Sequence, residues 1–92
     1  MTYQLTKEAE EDLIRIYRYG YKTFGETQAD KNYASFFDSF DRIATNPFQF
    51  PRADHIREGY RYCVSGSDTI YFRINDSTIE IIAIVGHQDF CE

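Results

Sequence analysis

A single glycine, Gly25, separates two amphipathic stretches in the first half of this chain. In the first stretch, apolar residues recur at steps of three and four from Ala9 to Phe24, which is the spacing of one helical face. The second stretch begins at about Glu26 and ends at Asn46-Pro47, because proline cannot continue a helix. A connection this short predicts that the two helices run antiparallel, as a hairpin.

Strand patterns flank the two helices. Tyr3-Gln4-Leu5 alternates and predicts a short N-terminal strand, after which Thr6 is a good helix N-cap. Residues 48–59 have mixed polarity and predict a loop. The rest of the sequence predicts a β-meander with tight turns, its strands being Tyr60–Ser65, Thr69–Ile74 and Thr78–Val85.

The last predicted strand is apolar on both faces, which is typical of a strand covered on both sides. Strict alternation places Ile79, Ile81, Ala83 and Val85 on one face and Glu80, Ile82 and Ile84 on the other. The helical hairpin can cover only one face of the sheet. We therefore expect the second face to expose an apolar patch formed by Tyr71, by Tyr60 or Tyr62, and by Ile82 or Ile84. Such a patch usually marks a partner site, although a homodimer or the C-terminal tail could also cover it.

Together these elements predict one α+β domain over residues 1–92, in which an N-terminal strand and an antiparallel helical hairpin pack on an antiparallel meander. The net charge of −5 argues against a general nucleic-acid binder, though not against a local basic site, and we expect no sequence-specific binding of nucleic acid. Cys63 and Cys91 form neither a disulfide framework nor a metal-binding pattern, and no motif points to a cofactor. With no signal peptide or membrane-spanning run, we expect a cytoplasmic protein.

The order of these pieces resembles the ParE branch of the RelE/ParE toxin superfamily. The matching pieces are the opening helix with Ala9, Asp12-Leu13, Ile16 and Tyr17, the second helix from Phe24-Gly25 to Asn46-Pro47, the segment Ile56 to Arg61, and the strands Ile70-Tyr71-Phe72 and Ile79 to His87. The resemblance implies a non-enzymatic toxin of a bacterial toxin–antitoxin pair, which inhibits DNA gyrase and is neutralised by a small antitoxin similar to ParD.

For the antitoxin we expect an apolar surface drawn from both helices and the meander, with two arginines at its rim. The residues predicted for it are Tyr17, Phe36, Phe40, Arg57, Arg61, Tyr71 and Ile82.

The RelE branch of the same superfamily suggests an alternative, a ribosome-dependent mRNA endonuclease. Such an enzyme would use Arg61, Arg73 and His87 to hold phosphate and transfer protons. Residues 47–92 contain no lysine, which weakens this alternative. A purely structural interpretation also remains open, in which Arg57 pairs with Glu58 or Asp54 and Arg61 anchors the loop to a carboxylate such as Glu80.

Overall fold

The computed structural model describes residues 1–86, in which two helices cover one face of a four-stranded sheet. The elements in chain order are β1 (Thr2–Leu5), α1 (Lys7–Phe24), α2 (Glu26–Thr45), a short 3-10 helix (Pro47–Gln49), β2 (Tyr60–Ser65), β3 (Asp68–Asn75) and β4 (Thr78–Gly86). The predicted α+β class and every predicted element are confirmed, with boundaries within one residue. His87 and Cys91 lie outside the described residues.

The helical hairpin forms as its sequence predicts. Thr6 caps α1, since its hydroxyl accepts a hydrogen bond from the Ala9 amide at 3.1 Å. Gly25 ends α1 with a φ of 93°, a left-handed conformation that glycine adopts without strain. Its amide donates a hydrogen bond to the Tyr21 carbonyl, and its carbonyl accepts one from the Ala29 amide. Gly25 therefore caps both the end of α1 and the start of α2.

The sheet has the strand order β1-β4-β3-β2. The three C-terminal strands form the predicted antiparallel meander, while β1 pairs in parallel with β4, which makes the sheet mixed. The core lies between the sheet and the hairpin. Its largest fully buried side chains are Phe40, Ile43, Ile70, Phe72, Ile79, Ile81 and Ile84.

Strand β4 departs from the strict alternation predicted for it. Its register against β3 shifts between Tyr71 and Phe72, because Tyr71 lies opposite Ala83 whereas Phe72 lies opposite Ile81. Ile82 is therefore the extra residue of a β-bulge. Beyond the bulge the faces exchange, so that Ile84 enters the core, while Ala83 and Val85 are only partly buried. The predicted faces are right up to Ile82 and wrong for the three residues after it.

Candidate functional site

The face of the sheet that the helices leave uncovered carries an apolar groove of about 420 Å³, which we call the open-face groove. Its lining residues are Glu8, Ile56, Arg57, Tyr60, Tyr71, Ile82, Ala83 and Val85. Tyr71 on β3 stands opposite Ala83 on β4, so the two central strands form its base. Ile56, in the loop before β2, is 53% exposed beside it. A groove with this much accessible apolar surface is suited to bind the apolar face of a partner segment.

The loop that brings Ile56 and Arg57 to the groove is fixed by Asp54. Its carboxylate accepts a hydrogen bond from the Arg52 guanidinium at 2.7 Å and another from the Gly59 amide at 2.9 Å. These two bonds lower the pKa of Asp54. The predicted pairing of Arg57 with Asp54 is wrong, because Arg52 takes that place.

Arg57 is consequently a cation at the groove that Asp54 does not pair with. Within residues 1–86 its guanidinium forms no ion pair or hydrogen bond. Glu8, at the start of α1, is the carboxylate among the lining residues. Among the described residues that line the groove, Arg57 is therefore the positive charge available to a ligand, and a carboxylate on that ligand is its natural counterpart.

Arg61 does not face the groove. It lies opposite Phe72 in the β2–β3 register, so its side chain leaves the sheet on the side of the helices. There the guanidinium donates to the Phe50 carbonyl at 2.7 Å and lies 5.3 Å from the centre of the Phe48 ring. Arg61 thus anchors the loop, as the structural interpretation predicted, but to a backbone carbonyl rather than to Glu80.

Arg73 lies on the opposite face from Arg61. It pairs with Tyr60 across β2 and β3, and its guanidinium forms an ion pair with Glu80 on β4. The structure therefore does not bring together these two members of the endonuclease set, Arg61 and Arg73. The third member, His87, is outside the described part of the chain.

Three further residues predicted for antitoxin contact lie away from the open-face groove. Phe36 and Phe40 are 3% and 0% exposed, so neither offers surface to a partner. A helical repeat in the sequence does not show which of its apolar residues meet the sheet, so it cannot distinguish these two side chains from surface residues. Tyr17 is half-exposed on the hairpin, where it lines a cleft of about 10 Å³, room for a single water molecule.

Tyr17 is instead held within the helical hairpin. Its hydroxyl donates to Asp30 at 2.7 Å, and its ring packs edge-on against Tyr33 with 5.7 Å between centroids. The hydrogen bond to Asp30, with desolvation second, raises the pKa of Tyr17 to about 12. This side chain joins α1 to α2. Of the seven residues predicted for the antitoxin, the structure brings Arg57, Tyr71 and Ile82 together.

Sequence reasoning missed Glu8, Ile56, Ala83 and Val85 as lining residues. Ile56 could have been found as a lone aliphatic residue next to Arg57 in a polar loop. Ala83 and Val85 could not, because they reach this face only through the bulge and nothing in a run of aliphatic residues marks where a bulge falls.

Other kinds of site find no support in residues 1–86. No three of their His, Cys, Asp and Glu side chains come together as a group that could hold a metal ion. Cys63 is buried as predicted, and burial raises the pKa of its thiol, which disfavours the reactive thiolate. No helix in this range is long and apolar enough to cross a membrane.

Comparison with known proteins identifies what this chain is similar to. The family profile described as "ParE toxin of type II toxin-antitoxin system, parDE" matches residues 3–89. The chain is 32% identical over 87 residues to the Toxin ParE1 of Mycobacterium tuberculosis strain H37Rv, covering 94% of this chain and 88% of the relative. It is 31% identical over 86 residues to the Toxin ParE1 of Caulobacter vibrioides, with the same coverage of both chains.

Two solved structures share the fold. A chain of the chromosomal ParDE TA system from P. aeruginosa superposes with a TM-score of 0.82 at 20% identity, covering 94% of this chain and 95% of the other. The conserved hypothetical protein HP0894 from Helicobacter pylori gives a TM-score of 0.57 at 12% identity, covering 96% of each chain. At these low sequence identities, the two similarities show that the arrangement of helices and strands is shared.

Proposed function

This chain belongs to the ParE toxin family of type II toxin–antitoxin systems, and from that premise we propose that it inhibits DNA gyrase and is neutralised by a small antitoxin bound in the open-face groove. In this proposal the toxin acts in the cytoplasm and traps the topoisomerase after it has cut DNA. Breaks then accumulate although the toxin itself cuts nothing. Membership of the family, over residues 3–89, is what supports gyrase as the target.

The open-face groove is the observation that carries the antitoxin half of the proposal. It combines a sheet face without helical cover, a lining in which Tyr71 is accompanied by Ile56, Ile82, Ala83 and Val85, and the guanidinium of Arg57, which has no partner within residues 1–86. An antitoxin C-terminal segment with apolar side chains and a carboxylate matches all three. The P. aeruginosa chain of similar fold comes from a ParDE system, which is consistent with such a partner.

The placement of the arginines favours a non-enzymatic toxin over an mRNA endonuclease. Phosphoryl transfer to RNA needs cationic and proton-transferring groups that converge on one phosphate. The Arg61 guanidinium donates a hydrogen bond to the Phe50 carbonyl on the helix-covered face of the sheet, whereas Arg73 forms an ion pair with Glu80 on the open face. Neither is free to bind a phosphate in the arrangement described.

Expression of the toxin without its antitoxin tests the target. We expect growth arrest together with activation of a DNA-damage reporter, because trapped gyrase leaves breaks in DNA. Primer extension on total mRNA from the same cells should show intact messages. Ribosome-dependent cuts in mRNA without DNA damage would instead support the endonuclease, and normal growth with folded toxin present would indicate an inactive member of the family.

The antitoxin surface is tested by truncating the groove. Tyr71→Ala and Ile82→Ala should each weaken the toxin–antitoxin complex by about 2 kcal/mol, measured by calorimetry, because each removes a side chain that becomes desolvated in the complex. Tyr19→Ala and Ile14→Ala are matched controls, since both residues are about half exposed on α1 outside the groove. Wild-type affinity in both groove variants would place the antitoxin elsewhere.

A further inference from the structure

Asp12 belongs to the opening-helix pattern but has no part in the function proposed above. Its side chain reaches from α1 to β4, where Oδ2 accepts a hydrogen bond from the backbone amide of Ile84 at 3.0 Å. Its other oxygen, Oδ1, accepts from the Arg15 guanidinium at 3.1 Å. The Asp12 side chain is 19% exposed, so most of it is shielded from solvent.

The amide that Asp12 binds lacks a strand partner on that side. Strand β1 ends at Leu5, which lies opposite Ile81, so β4 continues past the end of its parallel neighbour. Ile84 is 1% exposed, and a buried amide without an acceptor is strongly unfavourable. Asp12 therefore supplies the acceptor that a longer β1 would have provided.

Thr6 also binds β4, at the bulge residue and at the residue before it. Its backbone amide donates to the Ile81 carbonyl at 3.0 Å, and its hydroxyl donates to the Ile82 carbonyl at 2.9 Å. In a regular strand, successive carbonyls point to opposite edges, so one residue could not bind both. These two bonds, with the one from Ile84 to Asp12, enclose the bulge at Ile82 and fit only the bulged backbone.

We propose that Asp12 is a positioning residue of the open-face groove, holding the β4 bulge so that Ile82 and Ala83 both face the partner while Ile84 fills the core. Two adjacent residues of one strand share a face only where the alternation is broken. Asp12 holds the bulge from the helix-covered face of the sheet, and it is not among the residues that line the groove. The inference rests on the proposed function only for the identity of the occupant.

Three variants separate positioning from general stability. Asp12→Ala removes the acceptor, whereas Asp12→Asn keeps a side-chain oxygen that can accept from Ile84. Ile79→Val is the control, because it removes a methylene from the fully buried core without touching the bulge. Each protein is studied at full length by NMR.

Amide exchange gives the first measurement. In Asp12→Ala we expect the Ile84 amide to exchange about tenfold to hundredfold faster relative to the Phe72 amide, as expected when a hydrogen bond to a charged group is lost. Asp12→Asn should keep most of the protection. In Ile79→Val the two amides should change by the same factor. Equal acceleration of both amides in Asp12→Ala would overturn the proposal, since Asp12 would then contribute only to overall stability.

Groove geometry and binding give the second measurement, with 8-anilinonaphthalene-1-sulfonate as an apolar anionic probe. Asp12→Ala should lose nuclear Overhauser contacts between the Tyr71 ring and the methyl groups of Ile82 and Ala83, and should bind the dye about tenfold more weakly than Asp12→Asn. Unchanged contacts and unchanged dye affinity in Asp12→Ala would refute positioning. If the dye leaves the wild-type Ile82 signals unmoved, the proposed antitoxin surface fails, while the Ile84 exchange and the Tyr71 contacts still decide the role of Asp12.

Discussion

Replacing Arg61 with alanine distinguishes an arginine that anchors a loop from one that serves catalysis. Its guanidinium donates to the Phe50 carbonyl at 2.7 Å and stands 5.3 Å from the Phe48 ring centre. Phe50 in turn packs edge-on against Phe72 in the core. Arg61 therefore connects the 3-10 helix and the loop after it to the sheet, and its loss should destabilise the fold.

The size of the effect follows from those two contacts. A hydrogen bond from a charged donor contributes about 1.5–3 kcal/mol, and a cation–π contact at an exposed site about 0.5–1 kcal/mol. Phe48 is exposed and Arg61 is half-buried, so the lower part of both ranges applies. We expect Arg61→Ala to lower the free energy of unfolding by about 2–3 kcal/mol, which lowers the Tm of a domain this small by roughly 10–20 °C.

Differential scanning calorimetry measures this loss, with Arg73→Ala as the matched control. The ion pair of Arg73 with Glu80 lies at the surface, where such pairs contribute about 0–1 kcal/mol. Arg73→Ala should therefore lower the Tm by less than about 8 °C. If Arg61→Ala unfolds at the same temperature as Arg73→Ala, the anchoring role assigned to Arg61 is wrong.

Two further predictions concern the helical hairpin. Gly20→Ala should raise the free energy of unfolding by about 0.5–1 kcal/mol in urea titrations, because the new methyl group would meet the Ala29 Cβ at an ordinary 3.8 Å; a loss of stability would contradict this. The pKa of Tyr17 in the folded protein is raised to about 12. The hydrogen bond from Tyr17 to Asp30 therefore stabilises the fold fully below about pH 10, and this stabilisation is lost as the pH rises through about 12. Wild-type stability should therefore fall more steeply than that of Asp30→Ala between these pH values, and equal slopes would exclude the linkage.

Local signals in the sequence are sufficient to predict the two α-helices and the four strands of this fold, although not the short 3-10 helix between them. The N-cap at Thr6, the break at Gly25 and the proline after Asn46 each act within one turn of chain, and the structure confirms all three. Local signals do not predict the burial of Phe36 and Phe40, because this burial depends on which side of α2 meets the sheet.

The candidate groove was less predictable because it depends on contacts between distant parts of the chain. Ile84 moves into the core since Asp12, 72 positions earlier in the sequence, accepts its amide hydrogen. Arg61 lies on the helix-covered face, opposite Phe72 on β3, and there it donates a hydrogen bond to a carbonyl in the preceding loop. The face of Tyr71 is predictable from the sequence, because the alternation in β3 is unbroken and its neighbour Phe72 is a core residue.

The gyrase reaction itself tests the central claim most directly. Purified wild-type toxin is incubated with gyrase, relaxed plasmid and ATP, and the plasmid is resolved after denaturation of the enzyme. We expect supercoiling to fall and cleaved DNA to accumulate as toxin is added, and both effects to disappear when the antitoxin is added first. Unimpaired supercoiling with no cleaved DNA, at micromolar concentrations of toxin shown to be folded, would contradict the proposal that gyrase is the target.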